Sequence, residues 1–312
     1  MDHLYSWNIL GHDRILSELE KEIAGGNLSH AYLFAGPDQI GKASVAKTMA
    51  HILQCAGKYC HDCNVCREID KGYHADTIEV ADNGQSIKIE EIREIIARLN
   101  MSGGSPYKIL LMQNIERMPV EAANAMLKTL EDPPDGVLFL LTTDRLKEIL
   151  PTIISRVRVY NFQRVPEQKI TALLQSMYPL ADGDLIEQAA EYSSGRPGRA
   201  VNYMRDPQLL EQARKMYNDI GAFVKKPDTA GEFSYVADLA KTAKELESDK
   251  PVKDFLDTFA AVLRKSLLEE PFGNASLKRK RISLIRETQK AQDLLKRNVN
   301  TRLLLENLML QL

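Results

Sequence analysis

Four thiols fall within twelve residues, spaced Cys55-x4-Cys60-x2-Cys63-x2-Cys66, and they are the only cysteines of the chain. Thiolates favour a soft cation, and four at this spacing suit a tetrahedral zinc site with no position left for water, so the metal is expected to be structural. His61, between the second and third thiols, is an alternative ligand. Four reduced thiols or two disulfides are the other readings, and a reducing compartment opposes the disulfides. A second group has the form of a phosphate-binding loop: Gly36-Pro-Asp-Gln-Ile-Gly41-Lys42-Ala43, set between a strand-like and a helix-like stretch. In such loops backbone N–H groups and a helix N-terminus cradle phosphates, the lysine reaches the terminal phosphates, and a closing Ser or Thr hydroxyl holds magnesium. Here the closing residue is Ala43, which offers no oxygen, and Gln39 stands where such loops usually carry a glycine. Gly36, Gly41 and Lys42 are the residues left to dock ATP or ADP, weakly or not at all; the alternative is a relic turn that binds nothing.

Hydrolysis needs an acidic pair at the end of a neighbouring strand, one carboxylate for the metal and one to polarise water. The strand-like Ile109-Leu-Leu-Met112 is followed by Gln113-Asn114, so both positions are amides, which hold no metal charge and take up no proton near neutrality. Glu116 lies two residues beyond and reads as a solvated or salt-bridged side chain. Magnesium-dependent hydrolysis is therefore not expected. Histidines 12, 30 and 74 read as ordinary packing or hydrogen-bonding residues.

These groups need a frame. Short apolar runs at 31–36, 76–80, 108–112, 137–143 and 157–162 alternate with helical patterns, which predicts a five-stranded parallel sheet flanked by helices, an α/β fold. Ile89, Ile92, Ile95, Ile96 and Leu99 recur at helical spacing behind Ser86 as cap, with Gly103 and Gly104 closing the segment, and a further helix over 119–130 ends at Pro133 and Pro134. Strand signals stop after Phe162. Pro166 opens short helices up to the turn at 195–198, read as a small helical lid over 164–205. Residues 206–312 read as helical throughout, with Phe255, Phe259, Leu263, Leu267 and Leu268 on one face and Leu303, Leu304, Leu308 and Leu310 near the end.

The 312 residues allow about two domains by length and three by pattern: 1–163 with the cysteine module at 55–66 inserted, 164–205, and 206–312. Forty-one basic against 43 acidic residues exclude a polyelectrolyte that coats nucleic acid, and Lys278-Arg-Lys-Arg281 is a short run read as a solvated helix face. No stretch approaches the apolar length of a membrane span, and residues 1–10 lack the pattern of a leader, which places the chain in the cytoplasm with no membrane partner.

Four segments together, Leu28-Ser-His-Ala-Tyr-Leu-Phe-Ala-Gly-Pro37, the cysteine module, AANAMLKTLEDPP over 122–134, and Leu150-Pro-Thr-Ile-Ile-Ser-Arg156, resemble the AAA+ clamp-loader subunits of bacterial DNA polymerase III over most of the chain, the delta prime type above all. The resemblance implies an AAA+ domain with inserted zinc module, a lid, and an all-helical collar that joins subunits. It implies that Arg156, supported by Ser155, reaches the ATP of an adjacent subunit, although Val157 replaces the family's cysteine there. Taken alone, Arg156 reads as a surface arginine starting a strand. The resemblance gives Thr143 the place of a first sensor, read as structural here. Gly195-Arg-Pro-Gly-Arg199 puts Gly198 where motor subunits carry a second sensor arginine, and Arg196 and Arg199 beside it are rotated by about 100 degrees per residue on a helix.

The function implied is that of a non-hydrolysing delta prime-type subunit of the clamp loader in DNA replication. It would be no ATPase on its own but an accessory to a DNA-directed DNA polymerase holoenzyme, acting as scaffold and donor of a trans arginine. Its partners would be motor and delta-type subunits in a hetero-pentamer and, through the assembly, the sliding clamp and primed DNA. The rival readings are an active AAA+ ATPase motor and a stand-alone zinc-containing DNA-binding protein.

Overall fold

A computed structural model describes residues 3–7, 9–81, 86–269, 275–295 and 299–312. The first ten residues, expected to carry no leader, and the helical region 206–312 each include residues outside this set. Contacts divide the chain into two compact units: residues up to Leu173 with Gly195–Arg199, and Leu174–Ser194 with Ala200–Leu312.

The first unit runs α1 (Asp13–Gly25), β1 (Ala31–Ala35), α2 (Lys42–Gln54), α3 (Asn64–Asp70), β2 (Thr77–Val80), α4 (Ile89–Leu99), β3 (Lys108–Met112), α5 (Val120–Glu131), β4 (Val137–Thr143), α6 (Pro151–Ile154) and β5 (Arg158–Asn161). The five strands form one parallel sheet in the order β2-β3-β4-β1-β5, as the alternation of strand and helix patterns predicted. Side chains of a strand alternate between faces, so each strand feeds two cores. Leu33, Leu110, Met112, Phe139 and Leu141 pack on one face with Ile92 and Ile95 of α4 and Met126 of α5. Tyr32, Phe34, Leu111, Leu140 and Tyr160 pack on the other with Leu16 and Leu19 of α1 and Met49 and Ile52 of α2. Glu22 of α1 is almost buried, accepts from Tyr32 Oη and Tyr160 Oη (2.7 Å for the latter), and pairs with Arg158 at 2.8 Å, which ties the helix to β1 and the edge strand β5.

Two details of α4 differ from expectation. Its N-cap is Lys88, without a side-chain cap, while Ser86 Oγ donates to Arg117 O. Asn100 ends the helix, and the loop beyond is fastened when Gly104 N and Ser105 N donate to Asp76 Oδ2, both at 2.9 Å. Ser86 and Gly104 are thus used for tertiary bonds that local spacing does not reveal.

After β5 the chain is helical: α7 (Glu167–Met177), α8 (Gly183–Tyr192), α9 (Pro197–Arg205), α10 (Pro207–Lys225), α11 (Thr229–Glu245), α12 (Lys250–Glu269), α13 (Ala275–Leu294) and α14 (Thr301–Met309). Asp206 caps α10 by accepting from Gln208 N and Leu209 N. In the second unit Phe255, Phe259 and Leu263 of α12 form a buried row with Leu284, Leu305 and Leu308. Leu268, expected on the face of Phe255 and Phe259, is exposed, as are Leu303 and Leu310 near the end. Each lies off the three-and-four-residue spacing of the buried rows and so points away from them. Glu191 of α8 accepts from Tyr217 Oη of α10 at 2.8 Å and pairs with Lys265 of α12.

Candidate functional site

The loop Gly36–Lys42 leaves the C-terminal end of β1, where open parallel sheets bind ligands. Its conformation is built for close approach. Gly36 has φ 150, and a Cβ there would come within 2.5 Å of Phe162 O. Gln39 adopts φ 55, a left-handed conformation usually left to glycine, so a non-glycine residue holds the required turn. Gly41 enters α2 at φ 109. Lys42 is only 5% exposed, and its ammonium donates to Gly36 O (2.9 Å), Pro37 O (2.7 Å) and Asp144 Oδ1 (2.7 Å). The segment Gly195–Arg199, within the same unit, closes over the loop. Gly198 N donates to Gln39 O at 2.9 Å, Arg196 pairs with Asp38, and Arg199 Nε donates to Gln39 Oε1 at 3.4 Å. A Cβ on Gly198 would lie 2.8 Å from Gln39 O, so contact with the loop requires a glycine there. Arg196 and Arg199 are both buried against it.

Where magnesium would be held beside such a loop, Ala43 borders a small cavity lined with Gln113, Thr142, Lys47 and Glu79. Lys47 pairs with Glu79 there at 3.2 Å, so the carboxylate lining this cavity already has a cation, and the donor set does not fit a divalent metal in that place. Gln113 N continues the ladder by donating to Val80 O, and Asn114, at φ 50, donates its N–H to Thr142 Oγ1. Thr143 is fully buried and its hydroxyl accepts from Arg145 N, a structural bond. Glu116 is turned inward, not solvated: its Oε1 accepts from Asp144 N at 3.1 Å.

Arg156 follows α6 and lies two residues before β5. Tyr32 is the β1 partner of Arg158, so Arg156 stands at the N-terminal end of the sheet. The phosphate loop leaves the opposite end. Six residues of strand rise at about 3.3 Å each separate the two by about 20 Å, beyond the reach of one arginine side chain. Arg156 is 33% exposed, donates to Thr152 O (2.8 Å) and Ser155 Oγ (3.0 Å), and pairs with Glu131 at 2.5 Å. Ser155 Oγ in turn donates to Thr152 O. The guanidinium lines an open surface pocket with Ser29, His30, Glu131, Ser155 and Arg158. Spacing alone did not single out Glu131 or Asp144. Glu131 lies within the segment 122–134 that carried the resemblance, and Asp144 directly follows the end of β4, the position to inspect in a parallel sheet.

The four cysteines gather where the sequence put them together, with their Sγ atoms all within 4.8 Å of one another. Cys55 Sγ lies 3.6 Å from Cys60 Sγ and 3.7 Å from Cys63 Sγ. Four thiolates about 2.3 Å from a tetrahedral zinc stand about 3.8 Å apart, so the cluster fits that ion. Lys58, Tyr59 and His61 take positive φ in the turn that folds the thiols inward, and Cys63 caps α3, its Sγ accepting from Cys66 N. His61 packs at a tilt on Tyr59, which stacks on His51, and the cluster of possible metal ligands comprises the four cysteines. Burial pushes the Cys55 thiol up, but backbone N–H groups of Cys60 and Tyr59 and the neighbouring thiols outweigh it and bring it down to about 6. Burial and the same thiols hold Cys66 above its usual value.

The basic run does not make a continuous charged face: Arg281 is buried and donates to Ser266 O, and Lys280 donates to Leu312 O. Among the described residues no helix is long and apolar enough to cross a membrane.

Comparison with known proteins places this geometry. Residues 11–166, half of the chain, match the family described as DNA polymerase III, delta subunit. The tau subunit of DNA polymerase III from Bacillus subtilis is 31% identical over 266 residues, covering 83% of this chain and 46% of that protein. The gamma subunit from Buchnera aphidicola is 35% identical over 176 residues, covering 55% and 48%. The chain thus spans about half the length of these curated relatives. A solved RuvB mutant from Thermotoga maritima, at 14% identity, covers 85% of this chain and 91% of its own with a TM-score of 0.53, which supports the AAA+ fold.

One expectation is overturned by these relatives: that the chain is no ATPase on its own. Relatives 30% or more identical over the aligned stretch include tau and gamma subunits, the group from which the losses at Ala43, Gln113 and Asn114 seemed to separate it. Those three side chains describe what one site lacks, whereas kinship is carried by the whole aligned scaffold. A five-stranded parallel sheet, as expected, and half the chain matched by one description lead to a single assignment: the chain belongs to the DNA polymerase III delta-subunit family of clamp-loader proteins.

Proposed function

We propose that the chain is a delta prime-type subunit of the DNA polymerase III clamp loader, working in the cytoplasm during DNA replication and donating Arg156 to ATP held by an adjacent subunit. The observation that carries this is the placement of Arg156 at the end of the sheet opposite its own phosphate loop, open to a neighbour. When a partner's terminal phosphate enters the pocket, the guanidinium exchanges Glu131 for phosphate oxygens. Its planar, permanently charged fork pairs with two oxygens as negative charge develops, while Thr152 O and Ser155 Oγ keep hold of one nitrogen and fix the direction of approach.

The four cysteines hold zinc as a structural brace: with four protein ligands the ion would cross-link the end of α2 to α3 and leave no position for catalysis. Residues 164–205 act as lid, and the helices of 206–312 as the collar that joins motor and delta-type subunits in a hetero-pentamer. The assembly, rather than this chain alone, meets the sliding clamp and primed DNA. A second reading, a tau- or gamma-type subunit, is favoured by the curated relatives.

Native mass spectrometry of the loader co-purified through this chain tests the proposal. One copy beside several motor subunits is the expected result. Several copies per assembly would give the second reading, and a chain recovered without other subunits would contradict both.

A further inference from the structure

We infer that Asp144 is an internal substitute for a phosphate, and that a nucleoside di- or triphosphate enters the loop by displacing its carboxylate from Lys42. This rests on reading Gly36–Lys42 as a phosphate loop. The ammonium of a lysine has three N–H bonds, and here all three are used: two on loop carbonyls, Gly36 O and Pro37 O, and the third on Asp144 Oδ1 at 2.7 Å. The two carbonyl bonds hold the lysine in the loop, and the third is the one free to be exchanged.

The two partners are unequally placed. Lys42 is 5% exposed and Asp144 30%. A buried ammonium that loses its anion pays a heavy desolvation cost, whereas a half-exposed carboxylate can rotate into water, so the favourable exchange is one anion for another. The backbone need not move: Asp144 N is held by Glu116 Oε1 at 3.1 Å, which fixes the main chain while the side chain turns. Nor must the loop be rebuilt, since Arg196 on Asp38 and Gly198 N on Gln39 O keep it shaped with the carboxylate in place. Charge selects the ligand: the group that replaces Asp144 must be an anion compact enough to sit on one ammonium beside the N-terminus of α2, as a terminal phosphate is.

The apparent affinity of a site that is open only part of the time is reduced by the open fraction, so removing the internal carboxylate should tighten binding by that factor. We would titrate the full chain with fluorescent ADP and ATP analogues, with inorganic pyrophosphate as competitor, in wild type, Asp144→Asn, Asp144→Ser and Lys42→Ala. Asp144→Asn keeps an oxygen for Lys42 and the fold; the serine variant serves if it does not. The expected result is a dissociation constant at least about tenfold lower in the Asp144 variants, with competition by pyrophosphate and loss of binding in Lys42→Ala. Equal or weaker binding in both Asp144 variants would overturn displacement while leaving the loop as a nucleotide site. Absence of binding in every protein would overturn displacement and the phosphate-loop reading together.

Discussion

At the scale of single residues, the side chains singled out for chemistry are engaged by internal partners. Arg156 rests on Glu131, Lys42 on Asp144, Arg196 on Asp38, and the Cys55 thiol on its neighbours. The thiols give the plainest prediction. Atomic absorption of the purified chain should find one zinc per molecule, and Cys63→Ser, which removes both a ligand and the N-cap acceptor of α3, should release it and lower thermal stability. A wild-type chain without zinc would remove the metal, and an unchanged zinc content in the variant would remove Cys63 from its ligands. The cysteine cluster was legible because its four members are neighbours in sequence. Glu131 and Asp144 were not, because an ion pair between residues far apart in the chain leaves no spacing to read. Lys42 and Asp144 are separated by 102 positions.

Elements show the same division. The parallel sheet was legible because fully buried strands make short apolar runs, and β4 is buried along its whole length. The start of α4 was misread because Ser86 resembles a cap but bonds Arg117 O, a partner set by tertiary contact. Asp76 shows what such contacts contribute. Burial would raise its carboxyl, but hydrogen bonds from Ser105 and from Gly104 N outweigh this and hold it below the ordinary value. A carboxyl depressed in the folded state stabilises it above the unfolded value near pH 3.9, and that contribution is lost as pH falls through the folded value. Asp76→Asn should therefore cost about 1–3 kcal/mol at pH 7 in urea unfolding, with the difference from wild type shrinking below about pH 4. A difference that does not change with pH would mean that the charge of Asp76 contributes nothing to the loop after α4.

Across the whole molecule, sequence losses and structural kinship point to different parts of the same history. Ala43, Gln113 and Asn114 describe a single site, while the matched half of the chain and the relatives among tau and gamma subunits describe the scaffold, and the second of these corrected an inference drawn from the first. Arg156 belongs to the scaffold's outward face. In the role proposed for Arg156 the nucleotide is another chain's, since its own loop is about 20 Å away along the strands. Steady-state ATP turnover by the reconstituted loader on primed DNA with its clamp, containing wild type, Arg156→Ala or Arg156→Lys, tests this most directly. An arginine of this kind contributes on the order of a thousandfold at the one site it completes, so turnover of the whole assembly should fall by at least that site's share while the other sites continue. Lysine should not restore it, having the charge without the fork. Unchanged turnover in a fully assembled Arg156→Ala loader would contradict the account.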